Sequence, residues 1–79
     1  MASPDQRAVG QALRELRKRA GLTQEQVAER MGTSSTYLSR LEAGQRDIRF
    51  STVLRLLDAL NADLHQLADG MAASPRTDR

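Results

Sequence analysis

The 79-residue chain has no cysteine and no tryptophan, and its only aromatic side chains are Tyr37 and Phe50. Without cysteine there is no disulfide framework, no thiolate zinc site and no thiol nucleophile, so stability has to come from packed helices or self-association. A reducing, cytoplasmic setting is expected. Two isolated rings supply neither the packing of a β-sandwich nor a platform for stacked bases, which favours a helical fold. Long apolar runs are missing as well: the longest are a few residues, against about 20 needed to cross a bilayer. The N-terminus carries no signal-peptide core, and no membrane partner is expected. Twelve Lys and Arg against ten Asp and Glu leave a formal charge of only +2. Eleven of the 12 basic residues are nevertheless arginine, whose planar fork matches phosphate and guanine. The length suits one small domain with a thin core.

Gly21, Gly32, Gly44 and Gly70 stand at the ends of short apolar-periodic segments and divide the chain into helices. The first opens with Ser3, Pro4 and Gln6, an N-cap, a first-turn proline and a capping-box partner, and sets Val9, Ala12, Leu13, Leu16 and Ala20 on one face. Gly10 inside it costs about 1 kcal/mol relative to alanine and marks either a close approach or a tolerated weak spot, of which the weak spot is the favoured reading. Thr23 and Gln26 form a capping box for a second helix whose Val27, Ala28 and Met31 face the core, and Ser34 caps a third with Tyr37, Leu38 and Leu41 inward. A loop from Gln45 to Phe50 follows. Ser51 then caps a fourth helix with Val53, Leu56, Leu57 and Leu60 on one stripe and Leu54 off it. A last short helix runs from near Asp63 to Asp69 and buries Leu64 and Leu67. Residues 71–79 lack a periodic apolar face and are expected to form a disordered tail, which leaves one all-α domain of five helices over residues 3–70.

The second helix, the Gly32 turn and the third helix have the parts of a helix-turn-helix, two short helices joined by a tight turn and crossing steeply. Ala28 allows close approach, and Val27, Met31, Leu38 and Leu41 fasten the unit to the core. In such a unit the second of the two helices protrudes into the major groove while the start of the first touches the backbone. Through GLTQEQVAERMGTSSTYLSRLEAGQR and the following STVLRLLDALN, the chain resembles the Cro and phage-repressor type (lambda-repressor-like, XRE-type) of helix-turn-helix regulators over about residues 7–70. Two positions depart from that pattern. Thr33 stands where the family usually has an aliphatic turn residue, and Ile48 where it often has proline.

The resemblance implies a five-helix lambda-repressor-like fold and a DNA interface. Gln24 matches the family glutamine that bonds a phosphate and braces a base-reading side chain. Ser35, Thr36 and Arg40 match the positions that reach base edges, with Tyr37 and Ser39 flanking them. Arg40 is the principal reader, since bidentate bonding to guanine is worth about 1–3 kcal/mol of discrimination. Thr23, Ser34, Arg46 and Arg49 suit phosphates. Glu42 is paired in the family with an arginine of the first helix, here Arg17, and that pair is structural.

Plainer roles stand beside these. Thr23, Ser34 and Ser51 are caps first, and the run Arg17, Lys18, Arg19 reads as a solvated helix face. Tyr37 is either a core plug or a DNA contact, and Leu54 belongs either to the core or to a dimer seam. His65 has no cysteine partners, so no metal is expected. Charge is unevenly spread: residues 30–55 hold five arginines and two acids, and residues 56–70 hold three aspartates with no Lys or Arg. This predicts a basic reading surface and an acidic far side, where the family commonly dimerises, with Leu54 and Leu64 as interface candidates.

Catalysis finds no support, because the sequence has no Ser-His-Asp arrangement, no phosphate-cradling glycine loop and no carboxylate pair isolated from arginine. No cofactor and no small-molecule substrate are expected. The expected function is that of a transcription regulator, most often a repressor in the family resembled, bound to double-stranded DNA as a homodimer on an inverted-repeat operator. A second reading is a DNA-binding antitoxin or restriction-system controller that also contacts a protein partner, a toxin or another regulator. A third, the helix-turn-helix as a scaffold for protein contacts, is disfavoured by Arg40 and the basic segment.

Overall fold

A computed structural model describes residues 4–45 and 48–73 of the chain, in the order α1 (Pro4–Arg19), α2 (Gln24–Met31), α3 (Ser35–Glu42), α4 (Phe50–Ala59) and α5 (Leu64–Ala73). No strand occurs among the described residues. The expected cap at Ser3, the phosphate candidate Arg46 and residues 74–79 lie outside them.

One buried cluster draws on every helix: Leu13 and Leu16 of α1, Val27 and Met31 of α2, Leu38 and Leu41 of α3, Leu56 and Leu57 of α4, and Leu67 of α5. Each fully buried leucine contributes about 1.5–3 kcal/mol over exposure, so the thin core suffices only because all five helices share it. Local signals set the boundaries. Thr23 Oγ1 accepts from the Gln26 amide at 3.1 Å while Gln26 Oε1 accepts from the Thr23 amide at 2.8 Å, closing a capping box on α2. Ser34 Oγ accepts from the Tyr37 amide at 3.1 Å and starts α3. Asp63 and Gln66 form the same reciprocal box on α5, at 3.0 and 2.9 Å.

The turn between α2 and α3 is a Schellman motif. Gly32 adopts φ 72°, and the Thr33 amide reaches back to the Ala28 carbonyl at 2.9 Å. The same motif ends α4 with Asn61 at φ 56°, where the Ala62 amide bonds the Leu57 carbonyl at 2.8 Å. Asparagine tolerates the left-handed conformation, and this stop does not announce itself in the sequence as the glycines do.

Several expectations need correction. Ser51 does not cap α4: the backbone is already helical at Phe50, Arg49 holds the N-cap position without a side-chain bond, and the Val53 amide closes on the Arg49 carbonyl at 3.0 Å. Gly70 is not a stop. The helix runs through it to Ala73, because Gly70 lies against Ala12 and Met71 packs on the core, so residues 71–73 are helix and not tail. Ala20 is exposed in the turn after α1, and Leu64 is 45% exposed, leaving Leu67 as the fully buried residue of α5. Gly10 is a close-approach position. A Cβ there would lie 2.5 Å from the Leu41 carbonyl oxygen and 2.6 Å from that of Glu42, so α1 and the end of α3 meet backbone to backbone.

Candidate nucleic-acid interface

The start of α3 is held by its Ser34 cap and by the tight Gly32 turn, and its inner face buries Leu38, Leu41 and Glu42. Residues three and four apart share a helix face. The outer side therefore presents Thr36 and Arg40 in one exposed row, with half-buried Ser35 and exposed Ser39 in the next. The Arg40 side chain bonds no other described residue, so its fork is free for a ligand. Tyr37 is half-buried and packs against the core.

Behind α3 lies a buried polar network. Arg17 Nε donates to Glu42 Oε2 at 2.7 Å, and Arg17 Nη2 donates to Oε1 of the same carboxylate at 3.1 Å. Arg17 Nη1 donates to the Leu22 carbonyl at 2.8 Å, and Gln24 Nε2 donates to Glu42 Oε1 at 2.9 Å. The expected pair is thus present and structural, with both partners buried. It ties α1, the α1–α2 turn, the start of α2 and the end of α3 into one rigid corner, and it takes Arg17 off the solvated face that the charge run suggested. Gln24, expected on a phosphate, spends one amide hydrogen on Glu42 and retains a second.

An open cleft of about 810 Å³ lies between the second half of α1, the start of α2 and the outer face of α3. It brings together Thr23, Gln24, Ser35 and Ser39 from the predicted set, and adds Arg14 and Glu25, which sequence reasoning did not single out. Ser34 is exposed at the head of α3, and Arg49 is exposed at the head of α4.

Two arginines of the basic segment bond to backbone carbonyls of another helix. Arg30 Nη1 donates to the Ala59 carbonyl at the end of α4 at 2.8 Å, and Arg55 Nη2 donates to the Met31 carbonyl at the end of α2 at 2.6 Å. These two arginines tie α2 and α4 together by capping each other's C-terminal carbonyls. Of the five in residues 30–55, these two therefore serve as helix ties. Elsewhere, Phe50 is 64% exposed and Leu54 43% exposed, one helical turn apart on α4, with exposed Leu64 heading α5. Leu54 thus lies outside the core. Phe50 was missed because the sequence placed it in a loop. Among the described residues no group of three or more His, Cys, Asp or Glu side chains is placed to hold a metal ion, and no helix is long and apolar enough to cross a membrane.

Five helices around a capped α2–turn–α3 unit with a polar outer face define a helix-turn-helix domain. The profile of the helix-turn-helix domain family matches residues 8–70, and the chain belongs to that family of DNA-binding transcription regulators. It is 39% identical over 67 residues to the uncharacterized HTH-type transcriptional regulator y4dJ of Sinorhizobium fredii, covering 85% of this chain and 87% of that one. It is also 39% identical over 69 residues to the propionyl-CoA carboxylase regulator of Cereibacter sphaeroides; the match covers 87% of this chain but only 15% of that protein's length. Among solved structures, the clp gene regulator ClgR of Corynebacterium glutamicum superposes with a TM-score of 0.85 at 30% identity, covering 92% of this chain and 95% of that one. The restriction-modification controller protein C.AhdI of Aeromonas hydrophila gives 0.75 at 38% identity, covering 80% and 91%.

Proposed function

We propose that this protein is a sequence-specific DNA-binding regulator that represses by occupying an operator, with α3 in the major groove. Ser35, Thr36 and Arg40 then reach base edges, Tyr37 and Ser39 flank them, and Thr23, Gln24, Ser34, Arg46 and Arg49 hold phosphates. The observation that carries the reading is the mounting of α3: a polar outer face with a free arginine, fixed from behind by the Arg17–Glu42–Gln24 network. Buried ionic bonding fixes the orientation of the helix, and fixed orientation is what base readout requires. Its setting is the cytoplasm, where bacterial DNA lies, and it has no catalytic role.

The exposed side chains Phe50, Leu54 and Leu64 on α4 and α5 support assembly as a homodimer, which sets two reading helices about 34 Å apart and calls for an inverted-repeat operator. The test is selection of bound sequences from a random duplex library followed by titration at several salt concentrations. A palindromic motif with a steep preference over bulk DNA is the expected result. Weak binding that never discriminates among sequences would sink the reading. A second reading, control of a restriction-modification system, is supported by the 38% identity to C.AhdI. A methyltransferase or endonuclease gene beside this one, with the selected motif upstream of it, would favour that reading.

A further inference from the structure

We propose that Arg14 is a phosphate-binding residue of the DNA interface, gripping the backbone on the α2 side of α3; the proposal rests on the DNA-binding reading. The two sides of α3 are unequal without it. Beyond α3, the head of α4 carries Arg49, whereas the phosphate candidates on the α2 side, Thr23, Gln24 and Ser34, are all uncharged donors. That side also carries two carboxylates in the cleft, Glu25 and Glu42. Glu42 is neutralised by Arg17, but Glu25 is exposed and would repel a phosphate unless a cation stood nearby.

Two described arginines line the cleft, Arg14 and Arg17. Arg17 has all three nitrogens committed, to Glu42 and to the Leu22 carbonyl. Arg14, one turn earlier on α1, is exposed, its side chain bonds no other described residue, and it shares the concavity with Ser35 and Ser39. Its five donors are therefore available beside the reading helix, where a guanidinium binds phosphate in bidentate fashion.

The experiment compares wild type, Arg14→Ala and Arg14→Lys on a mixed-sequence duplex pool and on the best duplex selected from it, across 50 to 200 mM salt. Arg14→Ala should weaken binding to both DNAs by the same factor. It should also flatten the slope of log K against log salt by about 0.9 per bound protomer, so that the loss of affinity across this salt range shrinks by about 3.5-fold. Arg14→Lys should restore the slope, and thermal stability should stay unchanged in both variants. Unaltered affinity and slope in Arg14→Ala would overturn the proposal, as would a changed base preference, which would make Arg14 a reader of bases. Failure of the wild type to bind any duplex is a separate result, visible without a variant, that removes the DNA-binding reading itself.

Discussion

Gly10 and Leu41 approach so closely that a methyl group on Gly10 would sit 2.5 Å from the Leu41 carbonyl oxygen. The oxygen is backbone and belongs to the last turn of α3, so it cannot swing aside as a side chain would. In an isolated helix, Gly10→Ala would gain about 1 kcal/mol. Here the overpacking exceeds that gain, and Gly10→Ala is expected to destabilise the fold by about 1–3 kcal/mol. Urea unfolding monitored by circular dichroism measures it, and an increase in midpoint would show that α1 and α3 do not meet in this way.

The Arg17–Glu42 bridge gives a second prediction. Removing the carboxylate in Glu42→Ala strands a guanidinium that is held by two nitrogens to that group and lies buried beneath α3. Breaking a buried pair from one side costs about 3–5 kcal/mol, whereas replacing both partners by apolar residues of similar size is often close to neutral. The double variant Arg17→Met with Glu42→Leu is therefore expected to be more stable than Glu42→Ala alone. Equal stability of the two by denaturant titration would mean that the stranded charge is not the source of the loss.

The Thr23–Gln26 capping box, the Gly32 turn and the apolar stripes of α1 to α4 were legible because each depends on residues a few positions apart. The Arg17–Glu42 pair was legible only through resemblance, since nothing local in the sequence signals that two helices bring together groups 25 positions apart. Gly10 was misread for the same reason: a glycine inside a helix looks identical in sequence whether it is a weakness or a contact with another backbone. Arg30 and Arg55 counted as basic surface until the fold aimed them at the carbonyl ends of α4 and α2. Arg14 escaped notice because the cleft it lines is built from three helices.

Arg40 and Arg49 are expected to fail differently. Arg40 is free on the outer row of α3, and Arg40→Ala should relax preference at one base pair, losing about 1–3 kcal/mol of discrimination there with little change elsewhere. Arg49 heads α4 with no side-chain capping bond, so Arg49→Ala should spare the fold and weaken binding to every sequence alike. Competition binding against a set of single-base variants of the selected duplex separates the two. Identical profiles would mean that this division into reader and anchor is wrong.

Phe50, Leu54 and Leu64 make the last prediction, on assembly. On the homodimer reading proposed above, three large exposed apolar side chains, two of them one turn apart on α4, supply the seam. None of them contributes to the buried cluster, so Phe50→Ser and Leu54→Ser should change monomer stability by no more than about 0.5 kcal/mol. Dimer affinity should fall by at least about tenfold, because burying each such side chain at an interface is worth about 1.5–3 kcal/mol. Sedimentation equilibrium of the double variant reads this directly, and the variant should bind a half-site as the wild type does while losing its advantage on the full inverted repeat. If self-association persists unchanged in a triple variant that also carries Leu64→Ser, the α4–α5 face is not the seam, and the spacing of half-sites has to be set by another surface.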